Sequence, residues 1–200
     1  MSPANAQLTR EDVVRAAMRL ADSEGLDGLS MRRLAEALGV TPMALYRHVS
    51  NKDEILAEVV DAVLRDAGLP DVGAGDWAGW LAAAAHQLRT LLVEHPGALG
   101  VFCREPVTTP AAAARLAEGL ERLQAAGFGT DEAARAYAAV HTYTIGFCSL
   151  AATRSAGAGA HPQVAEVAGV DIGAFTSEAQ FRFGLEAILA GLAAEVRTRA

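Results

Sequence analysis

Residues 30–52 read SMRRLAEALGVTPMALYRHVSNK. Ser30 offers a side-chain oxygen to cap the free amides of a helix, and Met31, Leu34, Ala35 and Leu38 recur on one side at helical spacing. Gly39 stands where a left-handed residue ends such a helix, and Val40 can drop its side chain into the angle that follows. Thr41 caps a second helix with Pro42 at its first position, where the missing N–H costs nothing and the fixed φ suits the helix. Leu45 and Val49 point back to the core. That leaves Thr41, Pro42, Met43, Ala44, Tyr46, Arg47 and His48 on the outer side and at the N-terminus. Two short helices about a tight turn, the second presenting these groups, form a helix-turn-helix, whose second helix enters the major groove of DNA.

Charge supports this. The formal net charge is −7, which looks wrong for a nucleic-acid binder until it is divided along the chain. Residues 1–52 carry seven basic against six acidic groups, so the remainder holds −8. Within 30–52, Arg32, Arg33, Arg47 and Lys52 face Glu36 alone, a local +3 where phosphates would sit.

Working outward, residues 1–8 lack periodicity and read as a loose arm. Thr9, with Asp12 three residues later, opens a helix whose Val13, Ala17, Leu20 and Ala21 form a buried stripe ending at Gly25. The head is therefore three-helical. After Lys52 a helix runs to about Ala67, with Ile55, Leu56, Val59, Val60, Val63 and Leu64 on its apolar face. Residues 70–75 form a connector, and Asp76 caps a helix reaching Glu94 that turns Trp77, Trp80, Leu81, Ala84, Leu88, Leu91 and Leu92 inward. His95-Pro96-Gly97 breaks it, and residues 98–107 read as irregular. Thr109-Pro110 starts a helix carrying Leu116, Leu120 and Leu123, ended by Gly127-Phe128-Gly129.

A long helix follows from Thr130 to about Arg154, with Tyr137, His141, Thr144 and Cys148 along one face and Val140, Ile145 and Leu150 on others. Apolar residues on several sides mark a core helix that also meets a partner chain. Residues 155–175 have the glycine and alanine content of a loop, with at most a short helical turn near 163–168. Ser177 opens the last helix, striped by Phe181, Leu185, Ile188, Leu192 and Val196. The expected fold is all-α: a helix-turn-helix head over residues 1–52, joined by a linking helix to a larger helical body over 53–200.

The run Leu34-Ala35-x-x-Leu38-Gly39-Val40, then Leu45-Tyr46-x-His48-Val49 and Asn51-Lys52, resembles the TetR family of transcriptional repressors. The resemblance implies that Tyr46 and Lys52 contact phosphates, that Pro42, Met43, Ala44 and Arg47 face bases, and that Arg32 reaches a base from the preceding helix. In the body, Trp77-x-x-Trp80-Leu81, His95-Pro96-Gly97, Glu105-Pro106, Leu123-x-x-Ala126-Gly127-Phe128 and Tyr143-Thr144-x-Gly146-Phe147 are similar to the tetracycline-repressor type of C-terminal domain. In TetR-like proteins the last two long helices of two subunits pack as a four-helix bundle. The resemblance thus implies a homodimer through the helices near 130–154 and 177–198, which would present two heads to palindromic double-stranded operator DNA. The positions matching the tetracycline repressor's magnesium-holding histidine and glutamate are Val101 and Leu150, and Ala84 stands for its drug-reading asparagine. Tetracycline sensing, a metal site and a cofactor are therefore not expected. An apolar cavity lined by Trp80, Leu88, Phe102, Tyr137 and His141 is expected to take a small, largely apolar effector, with the tyrosine and histidine orienting it. A filled core, in which His141 merely donates to a carbonyl, is the competing reading.

Enzyme chemistry finds little purchase. His141 and Cys148 are seven residues apart, about 10 Å along a helix, too far for direct proton transfer. No HExxH, GxSxG or glycine-rich phosphate loop occurs. A DNA-binding activator or architectural protein without effector stays open as an alternative, and a helical enzyme as a weaker one. No targeting segment or long apolar run is read, so the expected place is the cytoplasm without membrane contact. Cys103 and Cys148 are expected as buried small hydrophobes.

Overall fold

Thr9 and Asp12 cap the first helix reciprocally: the Asp12 N–H donates to Thr9 Oγ1 at 3.1 Å, and the Thr9 N–H donates to the Asp12 carboxylate at 3.1 Å. The computed structural model describes residues 8–73, 75–103, 109–157, 166–167 and 170–197. Among these, the helices are α1 (Arg10–Gly28), α2 (Met31–Leu38), α3 (Pro42–Leu45), α4 (Lys52–Ala67), α5 (Trp77–Glu94), α6 (Pro96–Phe102), α7 (Pro110–Ala125), α8 (Thr130–Gly157) and α9 (Glu178–Arg197). The rest of the regular structure is an antiparallel pair of two-residue strands, β1 (Glu166–Val167) and β2 (Val170–Asp171), and a 3-10 turn at Ile172–Thr176. The fold is all-α in class, as expected. By contact the chain forms two compact units, Met1–Asp66 with Glu94–Ala112, and Ala67–Val93 with Ala113–Ala200.

In the first unit, α1 to α4 close on Val13, Ala17, Leu29, Leu34, Leu45, Val49, Ile55 and Val59, all nearly solvent-free. Gly25 breaks the regular path of α1 with φ 73°. Arg10 fastens this unit together: it donates to the His48 carbonyl at 2.8 Å, pairs with Glu58 at 2.8 Å and with Glu54. The Ser50 N–H and the Arg10 guanidinium hold Glu54 below the usual carboxylate range. A depressed carboxylate contributes stability above its unfolded value of about 4.3, and that contribution is lost as pH falls through the folded value. The head should therefore melt earlier as pH drops below about 4, and Glu54→Gln should flatten that decline. Thermal melts followed by circular dichroism at pH 7 and pH 3.5 check this, and identical acid sensitivity in the variant would refute it.

α6 also belongs to the first unit, lying on α1. A Cβ built on Gly97 would stand 2.5 Å from the Ala21 carbonyl carbon, so only glycine fits this approach. Asp22 receives the Gly97 N–H at 3.1 Å and faces His95 Nδ1 at 3.1 Å. Residues 98–102, expected to be irregular, are thus helical, because Pro96 starts a turn that Asp22 caps from another helix; residues 104–107 lie outside the described residues.

In the second unit, α5, α7, α8 and α9 share a core of Trp80, Leu81, Leu123, Phe128, Val140, Phe181 and Leu185. Phe181 gathers Tyr143 at 5.5 Å, Phe147 at 5.2 Å and His86 at 5.3 Å between ring centres. The Tyr143 hydroxyl donates to the Phe181 carbonyl at 3.0 Å, tying α8 to α9. Two further expectations are corrected here. The short helical turn near 163–168 is not found at Glu166–Val167, which pair as a strand with Val170–Asp171. On α7 the fully buried positions are Ala112, Arg115, Gly119 and Leu123, and Leu120 packs half-buried against the same core. Cys148 is buried, but Cys103, at the end of α6, is exposed.

Candidate functional site

The helix-turn-helix takes its angle from three local devices. Ser30 Oγ receives the Arg33 N–H at 3.2 Å, Gly39 adopts φ 66° so that the Val40 N–H reaches the Ala35 carbonyl at 3.0 Å, and Thr41 Oγ1 receives the Ala44 N–H at 3.2 Å. Regular helix spans Pro42–Leu45 and passes into turns up to Val49, whose N–H still reaches the Leu45 carbonyl at 3.2 Å, and Leu45 and Val49 are both sealed in the core. Their burial fixes which side of the segment faces solvent: Met43 is 71% and Tyr46 50% exposed, and Thr41, Pro42 and Arg47 are exposed beside them. Ala44 and His48 are half-buried.

The cations of this surface differ in how they are held. The Arg47 guanidinium has no hydrogen-bond or ion-pair partner among the described residues. Arg32 pairs with Glu36 one turn on at 3.0 Å and stays largely exposed. Arg33 is bound to Glu24 of α1 and to Glu36, and these carboxylates push its guanidinium further up. Lys52 Nζ donates to the Leu26 carbonyl at 2.5 Å, fixing the loosened end of α1 to the start of α4. Sequence reading placed Arg33 and Lys52 on the DNA surface without seeing these internal partners, which come from residues nine and twenty-six positions away.

In the second unit, Trp80 is fully buried, and its Nε1 lacks an acceptor. Gly119 brings Trp80 and Tyr137 together: a Cβ there would lie 2.7 Å from the Tyr137 ring and 2.9 Å from Trp80 Cζ3. Tyr137 stacks on His141 with ring centres 5.9 Å apart. Burial pushes Tyr137 up and His141 down, so both stay neutral near pH 7. His141 makes no hydrogen bond to a carbonyl among the described residues. Leu88 is buried two turns beyond Trp80 on α5, whereas Phe102 belongs to the first unit. Sequence reading missed Arg115, which is 6% exposed and donates to Gln87 Oε1 at 3.0 Å and to the Gly68 carbonyl. The spacing of Ala112, Arg115, Gly119 and Leu123 was the signal that could have found it.

Two family models match the chain. The model of bacterial regulatory proteins of the tetR family covers residues 13–59, and that of the tetracyclin repressor-like C-terminal domain covers residues 69–196. The chain belongs to the TetR family. An HTH-type transcriptional regulator of Saccharopolyspora erythraea is 39% identical over 142 residues, 71% of this chain and 60% of that one. The HTH-type transcriptional repressor DrrR1 of Streptomyces coeruleorubidus is 38% identical over 140 residues, 70% of this chain and 52% of that one. The chain thus matches little more than half the length of these two relatives. Apo ActR from Streptomyces coelicolor superposes with a TM-score of 0.83 at 29% identity, covering 98% of this TetR-family chain and 100% of that one. ActR in complex with actinorhodin gives 0.79 at 28% identity, over 95% and 97%. Among the described residues of the TetR-family chain, no helix is long and apolar enough to cross a membrane.

Proposed function

We propose that this chain is a ligand-responsive transcriptional repressor that binds palindromic operator DNA as a homodimer. The observation that carries the reading is the α3 surface: Leu45 and Val49 lock one side into the core while Met43, Tyr46 and the unpartnered Arg47 are held outward. A cation without an internal partner is available to a base edge, and exposed Tyr46 to a phosphate. The repressor DrrR1 and the actinorhodin complex of ActR support repression and effector binding among similar proteins. The effector site we favour lies in the second unit about Trp80, Tyr137 and His141, with Leu88 behind them; Phe102, in the first unit, is left out of it. For the dimer, α8 and α9 are the proposed surface, where Leu150 and Phe183 stay exposed, Phe183 by 67%.

Release would follow from the chain path. α4 ends at Ala67, where the second unit begins, so a ligand that prefers one arrangement of the body can bias the placement of the heads. Ligand weakens DNA binding by as much free energy as it discriminates between the two states. The protein acts by binding rather than catalysis, in the cytoplasm where its operator lies.

Arg47 and Lys52 test the assignment. Arg47→Ala should cost about 1–3 kcal/mol and relax discrimination between operator sequences. Lys52→Ala should weaken all sequences alike and reduce the salt slope by about one ion. Fluorescence anisotropy over a salt series with cognate and scrambled duplexes separates the two, and equal behaviour of the variants would contradict the roles.

A further inference from the structure

The second unit holds a buried positive charge that no described carboxylate answers. Arg115 sits on the inward stripe of α7, and the acceptors it reaches, Gln87 Oε1 and the Gly68 carbonyl, are both neutral. No acidic side chain pairs with it among the described residues. A guanidinium carries five N–H donors and stays protonated inside a protein, so donor capacity and charge both remain unmet. Gly119, one turn along α7 from Arg115, lies against the Tyr137 ring, and the Tyr137 hydroxyl has no hydrogen-bond partner among the described residues. Burial keeps that hydroxyl protonated and able to donate. Beside it, the flat Tyr137–His141 stack offers a planar aromatic surface.

We propose that the effector carries an oxyanion, a carboxylate or ionised phenol, on a planar ring system: the oxyanion seats on Arg115 and the Tyr137 hydroxyl, and the ring lies along the Tyr137–His141 stack. This refines the effector from largely apolar to an aromatic acid, and it rests on the reading of the second unit as the effector-binding part. The guanidinium, which can only donate and has no counter-charge, and the hydroxyl, free to donate, together suit a charged acceptor. A charge-assisted bond to buried Arg115 is stronger than its neutral counterpart.

The test is isothermal titration of the full chain with two probes of one shape, anthraquinone-2-carboxylate and 2-(hydroxymethyl)anthraquinone. The carboxylate should bind about tenfold or more tightly than the alcohol. Arg115→Gln should bring the ratio close to one by weakening the carboxylate alone, and Arg115→Lys, which keeps the charge, should retain part of it. The wild-type ratio needs no variant, so it stands even if Arg115→Gln folds poorly. Equal binding of the two probes to wild type overturns the oxyanion while leaving the effector site intact. An undiminished preference in Arg115→Gln overturns the place of Arg115. Binding of neither probe overturns both this inference and the effector reading on which it rests.

Discussion

Trp80→Ala is expected to lower the unfolding free energy by about 3–5 kcal/mol, the cost of emptying a large aromatic site in a core. Trp80 is fully buried among α5, α7 and α8 residues, with Arg122 over its ring at 5.7 Å and Gly119 against Cζ3. Gly119 leaves no side chain that could swing in to fill the space. Trp80→Phe should cost far less, about 1–2 kcal/mol, because the indole N–H has no acceptor to lose and only ring volume is removed. Urea denaturation of the two variants separates volume from hydrogen bonding. Equal losses would mean that the Trp80 N–H finds an acceptor after all.

Gly97→Val should destabilise the first unit by about 3 kcal/mol, the upper end of what overpacking costs. The obstacle is backbone: the new Cβ would meet the Ala21 carbonyl carbon at 2.5 Å and its oxygen at 2.7 Å, and no rotamer change relieves that. The same displacement would pull the Gly97 N–H from Asp22. Because α1 packs on α2, which carries α3, operator affinity should fall together with stability, although residue 97 lies far along the chain from the DNA surface. Hydrogen exchange resolved by peptide should show the loss in α1 and α6. Protection unchanged in α1 would contradict the assignment of α6 to the first unit.

The head was legible because its signals are local. Thr9 with Asp12, Ser30, Gly39 and Thr41-Pro42 each declare a helix end within three or four residues, and all of them cap or turn the chain as read. What escaped was set by residues distant in sequence. α6 carries two glycines in seven residues and reads as a loop until Asp22, seventy-five positions away, receives its Gly97 N–H. Arg115 hid in an alanine-rich helix where the leucines alone were read, whereas contact with Gln87 and Gly68 turns the arginine inward. Composition could not distinguish Cys103 from Cys148, since exposure depends on where α6 ends. Of the expected effector contacts, Trp80, Tyr137 and His141 come together through Gly119 and the ring stack, a convergence that helical spacing on α8 already suggested for the last two.

The central claim is that the α3 surface reads DNA sequence as one half of a symmetric pair. Its most direct test is to select duplexes retained by the purified protein from a random pool at moderate salt and to sequence them. An enriched palindrome, lost with Arg47→Ala, is the predicted result. Retention that tracks salt alone, with no motif enriched, would contradict it.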